Sequence, residues 1–301
     1  MVTKPPPYKQ VLKYPLRFMW QVLKGFKANQ GLLLSGAVAY YALLSIIPLL
    51  TLILMALSHF VGTDLLLQTL RQNIEVIVPA HADVIVEQMS QFLNNRHVIS
   101  WVLVGALLFF SSMAFTVLEN AISFIFHHRV AIHRRHFLVS AILPYIYILV
   151  MGIGFFLMTL IAGIMAGVET RELSLLGNTW SLQGISRVTL YIIGLTGQIL
   201  LLTSFYLVMP LGNLSIRHAL VGGVTAAILW EVMRHILVWY FSTLSLVNVV
   251  YGSLGTAIVV LISLEVAGMI LLFGAQVIAE YERLGLQADK QHNGKHNGIH
   301  A

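Results

Sequence analysis

The chain has 301 residues, of which 58% are hydrophobic and only 10% charged; its formal net charge is +6 and it has no cysteine. This apolar excess, with a mean hydropathy of +0.83, lies outside the soluble globular range and indicates a membrane protein. The lack of cysteine excludes a disulfide framework, a thiolate metal site and a cysteine nucleophile, and the positive balance tracks topology rather than nucleic-acid binding.

The first segment, 1–31, is read as a cytoplasmic amphipathic piece. No cleavable signal peptide is expected, because the basic start leads into a run too long for an h-region and without a small-residue cleavage site. Lys13–Lys27 has the pattern of an interfacial helix. Leu16, Met19, Trp20, Leu23 and Phe26 share one face, while Lys13, Arg17, Lys24 and Lys27 lie mostly off it. Such a helix can lie flat on anionic headgroups; a plain topogenic signal gives the same pattern.

Six apolar runs follow: Leu32–Phe60, Val98–Phe126, Phe137–Gly167, Val188–Val208, Ala219–Phe241 and Thr256–Ala279. Each reaches the roughly 20 residues that a helix needs to cross about 30 Å of hydrocarbon, and most lack the polar stripe of a soluble amphipathic helix. The predicted fold is therefore all-α, with six transmembrane helices forming one domain over 32–279.

Between the first two runs, 62–97 reads as two amphipathic helices broken near Pro79. Leu66, Leu70, Ile74 and Ile77 line one, and Ile85, Met89, Phe92 and Leu93 line the other. A segment this short cannot build its own core, so it must pack on the membrane domain or lie at the interface, where it could act as a lid. The loop 127–136, HHRVAIHRRH, is dense in histidine. Its spacing matches no zinc pattern, and a basic anchor that gains charge as pH falls is the simpler reading. The Gly/Asn/His-rich tail, 280–301, is expected to be disordered.

Lysine and arginine alternate between rich and poor segments, 13 on one side against 4 on the other, with Arg234 left inside a span. The positive-inside rule then places both termini in the cytoplasm.

Charges within the runs mark the candidate site. Glu231, Arg234 and His235 fall on one face of the fifth run, at offsets that allow partial self-neutralisation. Glu265 lies mid-way along the sixth run, and Glu119 in the cytoplasmic third of the second. At about 1.5 Å per residue, Arg234, Glu265 and Glu231 lie roughly 10–15 Å from the outer ends of their spans and so share a layer. Each ion costs about 2.5–3.5 kcal/mol at the centre of a lone helix, so these groups should face a bundle interior or a wet cavity. A structural ion-pair network and a substrate or proton pathway both fit. Pro48 should kink the first span, with Ser45 available for compensation, and Pro144 the third. Gly163/Gly167, Gly222/Ala226 and Gly223/Ala227 form seams for close helix contact.

AVAYYALLSIIPLL (37–50), LENAISFIF (118–126), WEVMRH (230–235), VYGSLG (250–255) and ILLFGAQVIAEY (270–281) together resemble the YihY/virulence factor BrkB family, once labelled ribonuclease BN. The resemblance covers nearly all of 15–283. Ser123 stands where the family often has Asn, Ser263 where Trp is frequent, and Gln276 where Glu is common. The resemblance implies a multi-pass protein of the bacterial inner membrane, linked to envelope properties and, in one branch, to movement of lipid-A-type lipids.

Three functional classes result. One is a transporter or lipid translocase using the polar layer of spans five and six; another is a non-catalytic envelope scaffold. The third, an intramembrane hydrolase using Ser253 or Ser263 with His235, is weakened because Gly252-Ser253-Leu254-Gly255 is not a GxSG order. A nuclease is not expected, since no cytoplasmic carboxylate cluster could hold catalytic metals. Membrane lipids are the expected partners and a homo-oligomer is left open; no metal, cofactor or nucleic acid is expected. No Gly-rich loop ends in Gly-Lys-Ser/Thr, so transport would draw on a gradient or be passive.

Overall fold

A computed structural model describes residues 11–58 (12 apart), 60–77, 82–94, 101–126, 183–209, 214–243 and 247–297, with shorter pieces between 142 and 161 and at 174–175 and 178–179. Its helices are α1 (Pro15–Ala28), α2 (Gly31–Leu57), α3 (Thr63–Ile77), α4 (Ala82–Asn94), α5 (Trp101–Ile125), α6 (Gln183–Val208), α7 (Ile216–Thr243) and α8 (Val247–Asn297). Among the described residues the one strand pairing is a two-residue antiparallel ladder, β1 (Ser174–Leu175) on β2 (Asn178–Thr179).

Five helices, α2, α5, α6, α7 and α8, are long and apolar enough to cross a membrane. In the third apolar run the described residues are helical, all but Ile142 and Leu143 within the shorter apolar stretch Tyr145–Ile161. Pro144, Gly163, Gly167 and Pro79 and the loop 127–136 lie outside the described residues.

The last helix organises the bundle: α8 touches α1, α2, α5 and α7, while α2 pairs with α5 and α6 with α7. Small residues set these contacts. A Cβ on Gly274 would lie 2.8 Å from Tyr206 Cζ and 3.2 Å from the Gly222 carbonyl oxygen, so α7 and α8 cross backbone to backbone. Gly223 meets Thr203 on α6, and Gly268 meets the Ser35 backbone on α2. The seams at 222 and 223 thus serve packing, as small residues commonly do between membrane helices.

In α6, α7 and α8 the buried residues gather toward one end. Leu118, Ile122, Ile125, Phe205, Tyr206, Met209, Ala219, Ala226, Leu272, Ala275 and Ile278 form one cluster, built from the end of α5, the end of α6, the start of α7 and the later part of α8. This is the end that the charge rule predicts to be cytoplasmic. Toward the other end, no described residue of α6 before Thr203, of α7 after Ala227 or of α8 before Gly268 is buried.

The external segment packs on the membrane domain. Leu66, Met89 and Leu93 close over Leu54 of α2, with Leu70 and Ile85 beside them. Thr51 Oγ1 lies 3.4 Å from Met89 Sδ, and an exposed Arg71–Asp83 pair of 2.6 Å links α3 to α4.

α1 differs from its sequence reading. Phe26 turns inward, its ring edge-on to Phe273 at 5.6 Å, and the buried seam is Phe18 and Val22 against Val277. A left-handed Gln30 (φ 54°) makes the corner into α2. At the opposite terminus, α8 continues past residue 279 to Asn297, through the segment whose composition predicts disorder. Extending a formed helix adds one bond per residue without a new nucleus, which is why weak helix formers can continue it.

Pro48 lies inside α2 without ending it. Ser45 does not act as a local patch for this proline. Its hydroxyl donates to the Phe110 carbonyl of α5 at 2.9 Å and accepts from the Ala114 N–H at 3.2 Å. A regular helix pairs those two groups with each other, so Ser45 caps one step of the α5 ladder from the side and ties α2 to α5.

Candidate functional site

The polar layer is built on the second half of α7. Helical spacing puts Glu231, Arg234 and His235 one turn apart, and the pair closes as that spacing predicts. Arg234 Nη2 and Nε donate to the same Glu231 Oε2 at 2.7 and 3.1 Å. His235 Nδ1 sits 2.7 Å from the Glu231 carbonyl oxygen. A carbonyl only accepts, so Nδ1 carries the proton and donates there, leaving Nε2 free of that bond. The same nitrogen is 3.8 Å from Glu231 Oε2.

Burial separates the two partners. The Glu231 side chain is 18% exposed, whereas that of Arg234 is 51% exposed. The guanidinium also lies 5.9 Å from the centre of the Tyr191 ring on α6, within cation–π range. Tyr191 is a site residue that the sequence reading missed. An aromatic near a span end reads as part of an interfacial belt, and only the α6–α7 contact reveals its neighbour.

Glu265 stands apart from this group. Its carboxylate faces α2, with Oε1 3.8 Å from where a Cβ on Gly36 would be, and among the described residues no ion pair joins it to Arg234. Equal depth therefore does not make one network here, because α8 turns Glu265 toward α2 and away from α7. Glu119 is 6% exposed. The α2–α5 register, set by Ser45 against Phe110 and Ala114, brings Glu119 to about the level of Val38, the same stretch of α2 that Glu265 faces. Glu265 thus belongs with α2 and not with the α6–α7 group.

A further polar node lies at the packed end. Gln276 is fully buried, accepts from Asn29 Nδ2 at 2.8 Å and donates to Glu280 Oε1 at 3.1 Å. Arg283 donates to the same Glu280 oxygen at 2.9 Å. An amide, unlike a carboxylate, can accept from Asn29 and donate to Glu280 at once, so Gln276 suits this node. The close approach of Gly25 to Gln276 and Glu280 leaves no room for a side chain on α1.

No described contact joins Ser263 to His235, and the Ser253 side chain lies outside the described residues. Among the described residues no group of three or more His, Asp or Glu side chains could hold a metal ion.

Comparison with known proteins gives a consistent assignment. The family described as Virulence factor BrkB matches residues 22–298. A UPF0761 membrane protein of Photobacterium profundum is 26% identical over 280 residues, covering 90% of this chain and 83% of its own length. A UPF0761 membrane protein of Haemophilus influenzae is 23% identical over 272 residues, with 90% and 96% covered. The ribonuclease-like protein YfkH of Bacillus subtilis is 25% identical over 275 residues, with 88% and 94% covered. No solved structure matches the chain.

Proposed function

The chain belongs to the Virulence factor BrkB family of multi-pass bacterial membrane proteins, and from that premise we propose that it moves an amphiphile with an anionic headgroup across the inner membrane. The observation that carries this reading is Arg234, a mid-span cation whose side chain is half exposed although its partner Glu231 is largely covered. Leaving an ion uncovered at this depth is costly, and intramembrane charges usually mark a pathway. The planar guanidinium suits a phosphate or carboxylate through paired hydrogen bonds. The surrounding halves of α6, α7 and α8 hold no buried residue among those described, which leaves room for acyl chains beside the charged group. Six spans and cytoplasmic termini are part of this proposal.

A scaffold reading has one observation in its favour: Arg234 is already neutralised within its own helix turn, as a charge fixing helix register would be. Proteoliposomes containing fluorescent phosphatidylglycerol, phosphatidylcholine or a lipid A precursor separate the two. Transport predicts movement of an anionic lipid faster than in empty vesicles, slowed in Arg234→Lys, which keeps the charge but loses the fork. If no headgroup moves faster, with or without a proton gradient, the scaffold reading stands.

A further inference from the structure

α1 has two faces, and only one is occupied. Its inner seam, Phe18 and Val22, is buried against Val277 of α8, with Phe273, Tyr281 and Leu284 around it. Gly25 adjoins Gln276, and Asn29 is bonded to the same residue. This seam fixes the rotation of the helix. At about 100° per residue, Leu16, Met19, Trp20 and Leu23 then fall within about 100° of arc on the opposite side, beside Lys13, Arg17, Lys24 and Lys27.

The outer face is exposed as well as opposite: Leu16 is 86% and Trp20 69% exposed, and all four basic residues are exposed. No acidic residue occurs in α1. A contiguous apolar stripe of this size is not left in water. At about 1.5 Å per residue the helix is also too short to cross the bilayer. It lies at the end of the bundle that the charge rule assigns to the cytoplasm.

We propose that the outer face of α1 is a docking surface for anionic lipids of the cytoplasmic leaflet, its Leu16/Met19/Trp20/Leu23 stripe entering the acyl region and its Lys13/Arg17/Lys24/Lys27 stripe meeting the headgroups. Charge complementarity selects the occupant: a neutral bilayer would satisfy the apolar stripe alone, whereas four cations and no anion match a negatively charged surface. The proposal is independent of the transport reading, since a scaffold would dock in the same way.

The test uses the full chain in vesicles. Because the chain is cysteine-free, Leu16→Cys or Leu23→Cys places one fluorophore on the stripe. Spin-labelled phosphatidylglycerol and spin-labelled phosphatidylcholine are compared as quenchers at equal mole fraction in a phosphatidylcholine background. The expected result is quenching about twofold stronger by the anionic lipid, with the ratio falling toward one in 0.5 M salt or in Lys24→Gln/Lys27→Gln. That double variant retains Lys4, Lys9, Lys13 and Arg17 as an orientation signal. The salt arm needs no variant, so a folding defect cannot obscure the outcome. Equal quenching by both lipids at low salt would remove the anionic preference. Quenching by neither lipid would show that water or a protein partner covers the face; either result overturns the proposal.

Discussion

Glu231 and Arg234 show how a helix can carry charge into hydrocarbon: the anion is covered and the cation, three residues on, folds back onto it. Arg234→Leu strands Glu231, so it should cost on the order of 2–3 kcal/mol. Adding Glu231→Gln should restore most of that loss. Melting the single and double variants in detergent checks the coupling, and additive losses would show that the groups act separately. The pair itself was legible from the i, i+3 spacing. The partners outside α7 were not, because helix rotation decides them: Tyr191 joined the group, while Glu265, at equal depth, turned toward Gly36 of α2. Gln276 is a related case. In the sequence it is only a departure from a common Glu, but in the fold it is the buried amide that links Asn29 to Glu280.

At the scale of elements, hydrophobic run length identified the five helices long enough to cross a membrane, since hydrocarbon thickness imposes a length that any sequence must display. Which side of a helix packs was less legible. For α1, apolar periodicity singles out the Leu16–Trp20–Leu23 stripe, yet the protein buries Phe18 and Val22. Two apolar stripes on one short helix, one for protein and one for lipid, look alike to a periodicity analysis. Crossings depend on single glycines for a similar reason: backbones can approach only where no Cβ intervenes. Gly274→Ala should therefore destabilise by about 1–3 kcal/mol through overpacking against Tyr206 and the Gly222 carbonyl. Gly105→Ala, with nothing within 4 Å of the added methyl, should be neutral or slightly stabilising. Equal melting temperatures for the two variants would mean that α7 and α8 are not held at that crossing.

At the scale of the molecule, helix ends packed around Tyr206 and Ile278 close one side of the bundle, while α6, α7 and α8 bury no described residue toward the other. The charge asymmetry predicts that the closed side faces the cytoplasm. We propose that the layer holding Arg234 opens from the outer half and is reached by polar solutes. Single cysteines at Tyr191, beside Arg234, and at Ala275, in the closed core, test it with a membrane-impermeant charged thiol reagent added outside oriented proteoliposomes. Rapid modification is expected at 191, slowed by an anionic amphiphile such as dodecyl phosphate, and none at 275. If position 191 is as unreactive as position 275, the layer is sealed and its charges are structural.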